Sequence, residues 1–247
     1  MMPETTTEAA APGGMPVQFT MKDGRRQCKR GLLMATNYDR MAADAAHLFL
    51  KYDQEKMIRK WNLDADGRYL YLPFFSEENV LRIDRNSGRL SRISETQPDS
   101  DLNMEAMILY DLLTYSDEPP REAGEWASVS QLGGIIGAGH DSSLRSPLAD
   151  AFAGKASWLD EICRQTGGSP AGKGDVSYAF TVFRNFRILM QFWDQDDEFP
   201  ADVRFLFDRN ALLFMHYETL WYVMGALERQ IRDSSKGVLA MPEGRSR

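Results

Sequence analysis

Cysteine is nearly absent: the 247 residues hold two, Cys28 and Cys163. Two isolated thiols build no disulfide framework and no Cys-rich zinc or iron–sulfur site, so the chain has no such site of its own. Histidine is almost as scarce, with three copies. Neither His47 nor His216 has a second His or Cys at helical ligand spacing, which excludes a zinc helix and leaves both as structural or exposed positions. Long apolar runs are missing as well. The nearest, "ALLFMHYETLWYVMGAL" at 211–227, is interrupted by His216 and Glu218 and falls short of the ~20 apolar residues a bilayer crossing needs. Residues 1–16, "MMPETTTEAAAPGGMP", contain no positive segment leading into an apolar core, so no secretory signal is expected. Positive charge is in deficit, with 29 basic against 36 acidic residues and a net charge of −7. That balance argues against nucleic acid, whose binding rests on phosphate neutralisation. The basic run "KDGRRQCKR" (22–30) reads as a solvated stretch. A cytoplasmic protein with neither membrane nor nucleic-acid partner is the expectation.

A hydrophobic fraction of 43% with 11% aromatic residues indicates a folded globular protein. Thr, Ala, Pro and Gly dominate the start, so 1–28 is expected as a disordered tail, 29–233 as a single domain and 234–247 as a flexible C-terminal tail. A helix is expected from Tyr38 to Trp61, with Met41, Ala45, Leu48, Phe49 and Tyr52 on its buried face. "GRYLYLPFF" (67–75) reads as a strand, and "VLRIDRNSGRLSRI" (80–93) as a hairpin turning at Asn86-Ser87-Gly88. A helix over 101–115 with an Asp-rich cap follows, then the irregular "SDEPPREAG" and a short strand in "EWASVSQL". Ser146 and Pro147 open a short helix, and Ser157 with Asp160 forms a capping box for another ending near Gln165. Three apolar strands, 176–183, 187–193 and 202–207, have connections too short for parallel neighbours and form an antiparallel meander. A closing helix covers 217–232. The fold class is α+β, an antiparallel sheet (a C-terminal three-stranded meander plus an N-terminal hairpin) packed with about five helices.

"QTGGSPAGKGDVSYAF" (165–180) has the glycine and lysine spacing of a phosphate-cradling loop. The order of elements is wrong for one. A helix precedes the glycines and a strand follows, so the helix end facing the loop is the negative one. Gly174 also stands where a magnesium-contacting hydroxyl belongs. Gly167 is therefore the left-handed cap of a helix, and no nucleotide loop is present. "GIIGAGHDS" lacks the third glycine of a dinucleotide fingerprint. The carboxylates of "WDQDDEFP" (193–200) lack an EF-hand's central glycine and read as a solvated hairpin tip, so no metal is assigned.

In the glycine-rich loop 133–145, His140 beside Asp141 is the polar pair best suited to a general base or weak metal ligand. Arg145 would supply a carboxylate or phosphate contact and Trp126 a pocket wall, which makes these four the ligand-binding candidates. Adjacent side chains usually point apart, and a core tryptophan is the commoner case.

The segments "YLYLPFF", "MILYDLL", "GEWASVSQLGG", "SPLADAF", "QTGG" and "FWDQDDEFPADVRFLFD" together resemble a prokaryotic family, domain of unknown function 3786, over roughly residues 40–232. The resemblance implies a link to redox or corrinoid-dependent one-carbon metabolism of anaerobes, because some members carry an iron–sulfur module. This chain lacks the cysteines for that module. Two functions are carried forward: a non-catalytic accessory or ligand-binding protein, partnered by a small molecule or a redox or corrinoid protein, and a small-molecule enzyme with its site at the glycine-rich loop.

Overall fold

Asp53 decides the shape of the first helical region. Its side chain accepts the Lys56 backbone N–H, starting a new helix where sequence periodicity ran on as one. In the computed structural model, which describes residues 19–22, 25–28, 37–93, 102–133 and 146–239 (side chains from 37 to 235 among these), two helices result. They are α1 (Asn37–Phe49) and α2 (Gln54–Trp61). The chain divides into two units, Met1–Thr36 and Asn37–Arg247. In the first, within the stretch expected as a tail, β1 (Phe19–Lys22) and β2 (Arg25–Cys28) pair antiparallel.

The second unit holds two further sheets. β3 (Asp64–Ala65), β4 (Tyr69–Pro73), β5 (Val80–Asp84) and β6 (Leu90–Arg92) form one in sequence order, all antiparallel. The β5–β6 turn is the expected one, with Gly88 at φ 68. After it comes α3 (Asn103–Thr114), which buries Ile108, Leu109, Leu112 and Leu113 as its periodicity predicts. Its N-cap is Leu102, whose side chain makes no cap bond, and Asp99 and Asp101 of the expected Asp-rich cap lie outside the described residues.

β7 (Trp126–Ser128) leads directly into α4 (Val129–Leu132) through a capping box of Ser128 and Gln131. α5 (Pro147–Phe152) starts as expected on Ser146 with proline in its first turn. α6 (Ala156–Gln165) buries Leu159, Ile162 and Cys163. Its N-cap is Lys155, and the Ser157–Asp160 capping box does not form. Asp160 instead receives the Tyr178 hydroxyl and an Arg164 ion pair. The C-terminus of α6 bears out the reading of Gly167: its φ is 85, its N–H reaches Arg164 O, and Gly168 N reaches Cys163 O at 2.9 Å. That double closure is a Schellman cap, followed by a strand as the phosphate-loop argument required.

β8 (Ser169–Pro170), β9 (Val176–Phe183), β10 (Phe186–Trp193) and β11 (Asp202–Asp208) complete the second sheet, in order β7-β11-β10-β9-β8 and antiparallel throughout. The acidic β10–β11 connection is an Asx turn, with Asp196 accepting from Glu198 N and Phe199 N. Phe75 N donates to Val182 O at 3.0 Å and ties the two sheets together. α7 (Tyr217–Leu239) closes the core with Leu220, Val223, Leu227 and Ile231 and runs into the stretch expected as C-terminal tail. The described residues thus give seven helices and two antiparallel sheets of four and five strands beside the β1–β2 pair, an α+β fold. No helix among them is long and apolar enough to cross a membrane.

Candidate functional site

Of the four candidates named from sequence, three lie outside the described residues: His140, Asp141 and Arg145. Trp126 is half-buried in β7, opposite Asp208, with the Arg187 guanidinium 5.5 Å from its ring. Arg187 is itself held by Glu122 through two bonds of 2.8 and 2.9 Å, so Trp126 packs against a structural ion pair.

A cleft of about 800 Å3 opens elsewhere, where three segments remote in sequence converge. The first is the end of α2. Trp61 is buried against Phe183 and Phe214, and Asn62 turns the chain in the left-handed region at φ 47. The second is the proline-rich stretch after α3, contributing Glu118, Pro119, Pro120 and Arg121. The third is the two-residue turn between β9 and β10, Arg184-Asn185.

The proline-rich stretch is irregular yet firmly held. Asp208, buried at the end of β11, accepts from Ala123 N and Gly124 N, each at 2.8 Å. Asn185 Nδ2 donates to Pro120 O and Asn210 Nδ2 to Arg121 O, both at 2.9 Å. Side-chain amides thus replace the strand ladder that two prolines preclude. Across the cleft, Arg184 Nη2 donates to Asn62 O at 2.8 Å, which joins two turns that both sit at positive φ without glycine. Such conformations cost about 1–2 kcal/mol each and persist only where the surroundings impose them.

Electrostatically the cleft is cationic. Lys60, Arg121 and Arg184 face one acid, Glu118. Neither arginine has a carboxylate partner among the described residues, whereas nearby Lys56 is neutralised by Asp117 at 2.6 Å. Lys60 Nζ donates to Leu113 O in the last turn of α3 and to Ser116 O just beyond it, at 2.8 and 2.6 Å. Burial, reinforced by the neighbouring Lys56 charge, pulls its ammonium down to about 8.

Polar atoms without partners concentrate here. Among the described residues, four buried side-chain atoms lack a hydrogen bond: Trp61 Nε1, Arg184 Nε, Ser116 Oγ and Glu105 Oε2. Trp61 and Arg184 line the cleft, and Ser116 is the residue whose carbonyl holds Lys60. Buried donors left unpaired are rare in folded proteins and call for an explanation at each site. The arrangement can accept an anion: Lys60, Arg121 and Arg184 line the cleft, and neither arginine has a carboxylate partner among the described residues.

Two other polar groupings are structural. Asp111 accepts from His216 N, His216 Nδ1 and Thr219 Oγ1 at 2.8, 2.7 and 2.6 Å, which fastens the start of α7 to α3. Glu105 pairs with Arg229 between the same two helices. No group of three or more His, Cys, Asp or Glu able to hold a metal occurs among the described residues.

Sequence reasoning missed Lys60, Trp61, Asn62, Arg121, Arg184 and Asn185. One signal was available: "FRNF" between two apolar strands is a two-residue turn without glycine, which forces an unusual backbone onto Arg or Asn. A family model described as "Domain of unknown function (DUF3786)" matches residues 53–229, a span that contains every residue of the cleft. No curated protein and no solved structure matches the chain.

Proposed function

This chain belongs to the DUF3786 family of domains of unknown function, and from its cleft we propose that it is a ligand-binding protein for a small anion carrying a carboxylate or phosphate group. One observation carries the reading: Arg121 and Arg184, neither with a carboxylate partner among the described residues, line the cleft beside Lys60. An anion there would meet this uncompensated positive charge with charge-assisted hydrogen bonds. Arg184 is the principal contact, since its planar fork keeps donors to spare after Nη2 binds Asn62 O. Glu118 at the rim is suited to a hydroxyl or amine elsewhere on the same ligand.

Calorimetric titration of the full chain with inorganic phosphate, glycerol phosphate and succinate tests this. At least one probe should bind with a Kd of about 1 mM or tighter. Arg184→Gly, which keeps the turn's positive φ without a Cβ, should weaken that probe at least about tenfold while unfolding free energy changes by no more than about 1 kcal/mol. Failure of all three probes to bind at about 10 mM, or binding indifferent to Arg184→Gly, would sink the proposal.

A further inference from the structure

One flank of α1 carries an exposed apolar stripe, beside an outward face of Arg40, Asp44, His47 and Lys51. Tyr38, Met41, Leu48 and Tyr52 are 54, 37, 48 and 44% exposed, with half-buried Ala45 between them. The sequence expectation placed Met41, Ala45, Leu48, Phe49 and Tyr52 inward, and it holds for Phe49 and in part for Ala45. The helix turns Ala42, Ala46 and Phe49 toward the core, with Phe49 fully buried and Ala45 at the edge between core and stripe. The spacing 38, 41, 45, 48, 52 alternates three and four residues, which is the seam of a two-helix coiled coil. Past Phe49, Leu50 N reaches Ala46 O, and Lys51 N and Tyr52 N reach Leu48 O and Phe49 O in a tighter turn that carries the chain to exposed Tyr52.

We infer that α1 is a homodimer interface, pairing antiparallel with α1 of a second copy of this chain. Charge settles both the partner and the direction. With Tyr38 taken as an a position, Asp44 and Lys51 are the g positions flanking the seam, and both are exposed. Antiparallel helices bring g opposite g. When Ala45 packs on Leu48 of the second copy and Met41 on its Tyr52, Asp44 falls opposite the second copy's Lys51. Two-fold symmetry repeats every contact, giving two ion pairs around four layers, with small Ala45 opposite larger Leu48 twice. A parallel pairing would put Asp44 across from alanine or phenylalanine at e, with no charge to meet it. The family match begins at residue 53, after α1, so the stripe belongs to a part of this chain outside the matched span.

So short a seam gives a reversible dimer, with a dissociation constant of roughly 10–500 μM. Sedimentation equilibrium of the full chain across that range should reveal it. Leu48→Glu should leave a monomer with an unchanged circular dichroism spectrum. Asp44→Lys should weaken the dimer at least about tenfold, and Asp44→Lys with Lys51→Asp should restore it. These two positions are exposed, so the exchange decides the matter even where Leu48→Glu fails to fold. A monomer at every concentration overturns the inference and leaves the stripe to another segment or a different protein. A dimer that survives both Leu48→Glu and Asp44→Lys overturns it too, by placing the interface elsewhere. Phosphate titration of the same variants should be unaltered, since none of these residues lines the cleft.

Discussion

At the scale of single residues, Lys60 is where burial and charge oppose each other most directly. Its folded-state pKa of about 8 lies below the ordinary 10.5. Between those values the unfolded chain holds a proton that the folded chain has released. Stability from this group therefore rises with pH across that window and is flat below and above it. Urea unfolding of the wild type and Lys60→Met, repeated from pH 7 to 11, should show the wild type gaining on the variant between about pH 8 and 10.5. An identical pH dependence in the two would contradict the burial argument. The comparison also cancels Tyr110, whose burial raises its phenol pKa and which both proteins share. Anion binding should follow the opposite course, weakening as pH passes about 8 and the ammonium is lost.

At the scale of elements, the β5–β6 hairpin is positioned by its turn. Gly88 sits at φ 68, and a Cβ there would lie 2.7 Å from Ala46 O in α1. Tyr110 of α3 donates its hydroxyl to Gly88 O, so one glycine touches both helices. Gly88→Ala should cost about 2–4 kcal/mol, from the left-handed penalty plus the clash, measurable as a lower urea midpoint. A loss below about 0.5 kcal/mol would mean that α1 moves aside freely. This hairpin, the C-terminal meander and the Gly167 cap were legible because each is fixed by local chemistry: an Asn-Ser-Gly turn, short links between apolar runs, a glycine after an amphipathic helix. The orientation of α1 was not legible. Phe49 is inward as expected, but Met41, Leu48 and Tyr52 beside it make an apolar stripe that competes with Ala42 and Ala46, and only the packing of α3 and the hairpin chooses between them. The cleft was illegible for a related reason. Its cations lie on three distant segments, brought together by amide and carboxylate contacts of Asn185, Asp208 and Asn210 that leave no spacing in the sequence.

At the scale of the whole molecule, a chain of net charge −7 that binds an anion must do so through a local concentration of cations, because its overall field repels the ligand. The cleft falls within the family-matched span while α1 precedes it, so the proposed binding and the inferred self-association would rest on different parts of the chain. Saturating ligand at about a hundred times its Kd should add about 2.7 kcal/mol to stability whatever the oligomeric state. The sulfur on the inner side of α6 offers an independent gauge of that stability. Cys163 is fully buried, and desolvation, with the nearby Asp160 charge, pushes its thiol up to about 12, so hardly any thiolate exists at neutral pH. Alkylation at this position must wait for the structure to open. In the folded protein, its iodoacetamide labelling, followed by peptide mass spectrometry, should proceed at the rate set by global unfolding and slow when the anion is added. Labelling faster than unfolding would expose a private fluctuation of α6. The chain thus contains a built-in clock, one atom whose silence times how long the molecule stays shut.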